Sequence, residues 1–481
     1  MSPFHDDSLR PSRRAALKSL ASGFGYLAFA ALAQRPTTGI ASPAGGPLAA
    51  KETHFPARAK RVIFLCMNGG PSHVDLFDYK PKLNDAEGRR TADSPLKGNA
   101  ALMPSPFRFA RHGQSGQWIS ELMPELAKQA DDLCFVKSMH TDLPNHAQAF
   151  LQMHTGSFQF TRPSLGSWSL YGLGSANQNL PGFVTINPPT DNGGARNYGN
   201  AFLPAVYQAT KIGANQTPGF YAAILGVDQE PGPPLRNVDN EWMTKQEQRR
   251  QLDFLRDLDS LKLERDERNP EVEGAIESFE LAFRMQDELP ALLDLSGESQ
   301  TTLDDYGIGP DLPTARFGRQ CLLARRLAES GVRFIEITAP GSWDHHFQID
   351  SALKSSCQAT DLPVAALLRD LKQRGMLEET LVIWAGEFGR TPYAQSGTGR
   401  DHNNKGYTLW MAGGGVRGGL SYGSTDELGY QAVENPVHIH DWHATILHLL
   451  GFDHERLTFE YAGRDYRLTD VHGRVVTDLV A

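Results

Sequence analysis

The chain has 481 residues, 40% hydrophobic and 21% charged, and carries a formal net charge of -9. That composition suits one large globular domain or two smaller ones and argues against disorder. The negative balance provides no basic field for a phosphate backbone, so no nucleic acid partner is expected, although a local basic site could still hold a small anion.

The first feature along the chain is an address. Arg13 and Arg14 in SRRAALK precede a short, glycine-interrupted apolar stretch that ends in Ala31-Leu32-Ala33, a small-residue cleavage pattern. This resembles a twin-arginine signal, with Ala16 where such signals often carry Phe. The resemblance implies a folded passenger handed to the twin-arginine export machinery. It also implies a periplasmic or extracellular location and no stable membrane span after cleavage. Residues 1–33 are the expected signal, 34–58 a linker, and 59–481 the folded domain.

From Arg61 onward, strands and helices alternate. RVIFLCM is a short apolar run stopped by Asn68-Gly69-Gly70, which predicts a central strand entering a tight turn. DDLCFVKSM repeats the pattern. ARFGRQCLLARRLAESG predicts a helix closed by Gly331, followed by the strand VRFIEIT. ATDLPVAALLRDLKQRG closes at Gly375 and leads into TLVIWA. Helix, glycine and apolar strand occurring twice in succession predict an α/β fold with a mainly parallel sheet covered by helices on both faces. Between these parts, about 190–310, a helical insertion is expected, with Val272, Ile276, Phe279 and Phe283 at helical spacing. The cysteines, Cys66, Cys134, Cys321 and Cys357, are far apart with no CxxC pair, so neither a zinc ribbon nor a disulfide framework is indicated.

Ligands of an open parallel sheet bind beyond the carboxyl ends of its strands. After the first strand come Asn68, Ser72, His73 and Asp75; after VRFIEIT come Asp344, His345 and His346; after TLVIWA come Glu387 and Arg390, then Arg400, Asp401 and His402. Imidazoles and carboxylates gathered at one edge point to a divalent metal. Zinc or manganese suits the mixture best, and calcium would suit an all-oxygen subset. Arg390 and Arg400 either grip an anion bidentately or pair with a nearby carboxylate such as Glu387 or Asp401.

The blocks NGGPSHVDLFDYKP, NHAQAFLQMHTG, RPSLGSWSLYGLG, WDHH, GEFGRTP and GRDHNNKG resemble those of a bacterial family, domain of unknown function 1501. That family is usually described as sulfatase-like and placed in the alkaline phosphatase superfamily. The resemblance implies an alkaline phosphatase-like fold over 59–481. It implies metal ligands at Asp344, His346 and His402, supplemented by Glu387, Asp401, Asp75 or His73. Members of the superfamily carry a nucleophile ten residues before the Gly of a Thr-Gly pair; here Thr155-Gly156 leads back to His146, with Ser72 as the alternative nucleophile. Asn68 stands where the superfamily has a ligating Asp, and Phe388 where it has a His.

The expected function is therefore metal-dependent hydrolysis of a sulfate or phosphate ester, on a small molecule or a polysaccharide. His146 would act as nucleophile or acid/base, and Arg390, Arg400 and Asn68 would contact the substrate. The rival expectation is a non-catalytic binding or assembly protein that kept the fold, since Asn68, Phe388 and His146 all depart from the superfamily pattern.

Overall fold

The computed structural model describes residues 46–86, 88–89, 100–213, 242–266 and 269–481, so the expected signal lies outside the described residues. Strand β1 (Arg61–Cys66) leads to the short helix α1 (His73–Leu76). Next come β2 (Leu133–His140), α2 (His146–Thr155), α3 (Leu165–Leu173), β3 (Phe183–Ile186) and β4 (Thr210–Ile212). Helices α4 (Lys245–Asp266) and α5 (Pro270–Leu293) precede α6 (Ala315–Glu329), β5 (Phe334–Thr338), α7 (Ile349–Gln373) and β6 (Thr380–Ala385). A hairpin of β7 (Gly389–Gln395) and β8 (Gly399–Asn403) is followed by β9 (Tyr407–Ala412), β10 (Ser421–Tyr422), β11 (Val437–His438) and α8 (Ile439–Leu449).

Among the described residues, nine strands form one sheet in the order β10-β2-β9-β6-β1-β5-β3-β4, with β11 beside β2. β1 lies parallel between β5 and β6, and β3 runs parallel to both β5 and β4. Only β9 opposes this direction, pairing antiparallel with β6 and β2. The expected α/β architecture with a mainly parallel sheet is what the chain adopts. Its strands read as continuous apolar runs because both faces are covered. Along β1, Ile63 and Leu65 join the core beneath α6 and α7, whereas Val62, Phe64 and Cys66 join the core beneath α2, α3 and α8. Gly331 and Gly375, with φ of 95° and 66°, close α6 and α7.

Within 190–310 the chain first supplies the edge strand β4 and then the helices α4 and α5. The buried positions of α5 are Val272, Gly274, Leu281 and Leu289, so its buried stripe is turned away from Ile276, Phe279 and Phe283. Gly274 explains the rotation: a Cβ there would lie 2.6 Å from Pro204 Cβ, so the helix approaches that turn along its glycine. Residues 46–58, expected as linker, lie on the domain, with Leu48 buried and Phe55 N donating to Gly451 O. Among the described residues, no helix is long and apolar enough to cross a membrane.

His443 on α8 is buried, its Nε2–H donates to Met153 O at 2.7 Å, and burial pushes its pKa down from 6.5 to about 3. Between those values the unfolded chain binds a proton that the folded chain refuses, so stability falls as the pH drops below 6.5. From pH 7.5 to 5 this residue should cost about 2 kcal/mol. Urea midpoints measured across that range should show a flatter pH dependence in His443→Gln than in the wild-type chain.

Candidate metal centre

Three loops meet beyond the carboxyl ends of β1, β5 and β6. Gly69 and Gly70, with φ of 121° and 74°, make the meeting possible. A Cβ on Gly69 would sit 2.5 Å from Asp344 N, and one on Gly70 would sit 2.6 Å from the Phe388 ring. The loop after β5 therefore rests directly on the glycine backbone, which brings Asp344 and His346 toward His402 on β8 and His146 at the start of α2. Asn145 caps α2, accepting from Gln148 N, and Gly156 ends it in the left-handed conformation.

His146, Asp344, His346 and His402 converge on one point. His346 Nε2 lies 2.8 Å from Asp344 Oδ1, and His402 Nε2 lies 3.2 Å from the same oxygen. The two Nε2 atoms are 2.9 Å apart, and His146 Nε2 is 3.2 Å from Asp344 Oδ2. Each ring is anchored from behind by an oxygen that can only accept. His402 Nδ1 donates to Pro144 O at 2.8 Å, His146 Nδ1 to Glu387 Oε1 at 2.6 Å, and His346 Nδ1 to Gln395 Oε1. With Nδ1 held in this way, the Nε2 atoms face inward, and around a bound ion they would offer it their lone pairs, which is how ligating imidazoles are held. The four side chains are 18–22% exposed, whereas His146 Nε2 at the point of convergence is itself buried. These donors fit a divalent ion of the zinc or manganese kind.

The electrostatics follow from the shared carboxylate. Burial alone would raise the Asp344 pKa, but hydrogen bonds from His146, His346 and His402 and the charge of Arg390 hold it far below the usual range. For His146, burial is outweighed by Asp344 and Glu387, which raise it to about 9, whereas burial keeps His402 low. Without an ion, the cluster thus holds its proton on His146.

Other expected site residues have different work. Arg390 is wholly buried. Its Nε donates to Gly70 O at 2.8 Å, its Nη1 to Arg400 O at 3.2 Å, and its Nη2 to Gly69 O and Asp344 Oδ1. No part of this guanidinium is free to grip a substrate. Arg400 is equally buried and forks onto Asp75, at 2.7 and 3.0 Å. That contact removes Asp75 from the ligand set and Arg400 from substrate binding. Ser72 is buried and donates to Asp75 Oδ2 at 2.5 Å, so it is no exposed nucleophile. His73 Nε2 bonds Gly429 O at 2.8 Å, outside the cluster. Asp401 accepts from His402 N at 2.8 Å and positions the backbone rather than ligating. Glu387 stands behind His146, also accepting from Gly69 N at 3.1 Å. Asn68 remains at the rim, accepting from Trp343 N through its carbonyl and from Asn192 Nδ2 through its side chain. Gln395 and the Pro144 carbonyl were not anticipated; nothing in their local sequence marks an anchor.

Removing one partner of a buried ion pair strands the other charge. Asp75→Asn should therefore lower stability by about 3–5 kcal/mol in denaturant titrations. Metal bound per folded chain should not change; its loss would return Asp75 to the ligand set.

Solved structures with a similar chain path include the lipoteichoic acid synthase LtaP from Listeria monocytogenes, at 9% identity and TM-score 0.37, covering 88% of this chain and 78% of that one. The PsFucS1 sulfatase from Pseudoalteromonas sp. is similar at 11% identity and TM-score 0.36, covering 88% and 72%. Alkaline phosphatase from the Antarctic bacterium TAB5 is similar at 11% identity and TM-score 0.32, covering 74% and 92%. No curated protein sequence matches the chain. A family model, described as protein of unknown function (DUF1501), matches residues 59–480, and the chain belongs to that family.

Proposed function

We propose that the chain is an exported, metal-dependent hydrolase of sulfate or phosphate esters. The observation that carries this reading is the convergence of three imidazole Nε2 atoms on one carboxylate, each ring anchored through Nδ1 by a fixed acceptor. Asp344, His346 and His402 would hold the ion, and Arg390 also donates to the Asp344 carboxylate. A divalent ion there supplies Lewis-acid polarisation of an ester oxygen. Zinc or manganese is favoured over calcium, because calcium prefers six to eight oxygen donors and this set is rich in nitrogen.

His146 would be the proton-carrying group. Glu387 fixes its Nδ1, so Nε2 is the atom from which it donates or accepts a proton at the rim of the ion site. The substrate class, a small-molecule or polysaccharide ester, and export by the twin-arginine route rest on the sequence blocks and on Arg13 and Arg14. A binding protein is the second reading. It is favoured by one observation: both site arginines are consumed by protein partners, leaving neither for the substrate's charge.

Elemental analysis of the folded chain should find about one zinc or manganese at this site, lost in both His346→Ala and His402→Ala. Aryl sulfates and phosphates should then be turned over, and His146→Ala should lower that rate by about 10²–10⁴-fold while retaining metal. Absence of bound metal after reconstitution, in a folded chain, would overturn the hydrolase reading. Metal without turnover, unaffected by His146→Ala in ligand binding, would favour the binding protein.

A further inference from the structure

A second group of ligating side chains lies among the first strand, the strand beside it and helix α2. Cys66 ends β1, Glu336 sits in the middle of β5, and His154 lies in the last turn of α2. Their ligating atoms all lie within 4.8 Å of one another, and all three residues are buried. We propose that Cys66, His154 and Glu336 form an enclosed structural site for a divalent cation of the zinc type.

A glutamate in the middle of FIEIT has no place in an apolar core without a partner. Its partner here is His154, whose Nε2 lies 2.8 Å from Glu336 Oε1. The Nδ1 of that ring donates to Phe150 O at 2.7 Å, which fixes the tautomer and leaves Nε2 directed at the carboxylate and the thiol. Thiolate, carboxylate and neutral imidazole around a divalent ion sum to zero charge, so the assembly can be buried without an uncompensated ion. Binding releases two protons, one from the Cys66 thiol and one shared by His154 and Glu336, and nothing is oxidised or reduced. Two further features mark a polar chamber rather than a simple ion pair. Thr185, the cross-strand neighbour of Glu336, is buried and its hydroxyl has no hydrogen-bond partner among the described residues. Tyr198, also buried, stands edge-on to His154, the ring centroids 5.4 Å apart.

This inference does not depend on the partly exposed cluster, which contains no sulfur, and the two are separable by spectroscopy. The site is sealed, so the full chain is expressed in cobalt-supplemented medium, where the ion is present as the chain folds. The expected result is a thiolate-to-cobalt charge-transfer absorption in the wild-type chain. It should persist in the His346→Ala/His402→Ala double variant with about one cobalt retained per chain, and be lost in Cys66→Ala and Glu336→Gln. A folded wild-type chain that lacks this absorption overturns the proposal. The band is read on chains that keep Cys66, so the test holds even where Cys66→Ala fails to fold. A band that survives Glu336→Gln and Cys66→Ala in folded protein also overturns it.

Discussion

The arrangement of the partly exposed cluster depends on one buried guanidinium. Arg390 projects from the start of β7 and binds the carbonyls of Gly69 and Gly70 after β1, the Asp344 carboxylate after β5 and the Arg400 carbonyl on β8. Burying a cation is costly unless its donors are matched. Here each nitrogen has an acceptor, so the buried charge ties the three segments together. Asp344 receives part of its low pKa from the same group, which keeps it ionised and available to the histidines. Arg400 and Asp75 repeat the device one layer deeper, tying α1 to β8 through a fully buried pair.

Around this frame, acceptors are placed behind the imidazoles and not in front of them. Glu387, Gln395 and the Pro144 carbonyl come from three different segments, yet each takes the Nδ1 proton of one ring. The effect is to remove the tautomeric freedom of three histidines. A ring free to flip would turn either nitrogen inward; an anchored ring turns only Nε2 inward. Glu387 has an additional consequence, because its negative charge is buried and raises the proton affinity of His146 over that of His402. Two chemically identical side chains whose rings lie 4.2 Å apart are thereby given opposite shifts in proton affinity.

The edge of the sheet was legible in the sequence because a parallel sheet places every strand's carboxyl end on one side. Apolar runs ending in Asn68, Asp344 and Glu387 can then be gathered without knowing their contacts. The helix between Asn145 and Gly156 was legible for a similar reason: a capped helix has fixed rise and turn, so a position at its start follows from its end. What could not be read was partnership. Asp75 and Arg400 are 325 residues apart, and Arg390 lies 320 residues from Gly70. An arginine in GEFGRTP looks the same whether it meets a substrate or a row of carbonyls. Ser72 and His73 were misread likewise, since proximity to a strand end does not distinguish a side chain turned into the core from one turned toward solvent. Glu336 escaped notice for the opposite reason, being a single carboxylate inside a strand whose apolar pattern dominated.

Helix α2 connects these two levels. His146 opens it and His154 lies in its last turn, about 12 Å further along the axis at ~1.5 Å per residue. The upper end is held by Glu387 through His146, and the lower end by Glu336 through His154. Both carboxylates are buried, Glu336 within β5 and Glu387 in the loop after β6, so the helix is held at one end to that loop and at the other to β5. A helix fixed at one end could still pivot and carry His146 away from Asp344. Fixed at both, it has neither the tilt nor the rotation to do so, and the position of His146 Nε2 becomes a property of the sheet itself. A polar pair here does what an apolar contact would not: hydrophobic packing sets distance, whereas a directed contact from a ring anchored through its other nitrogen also sets rotation.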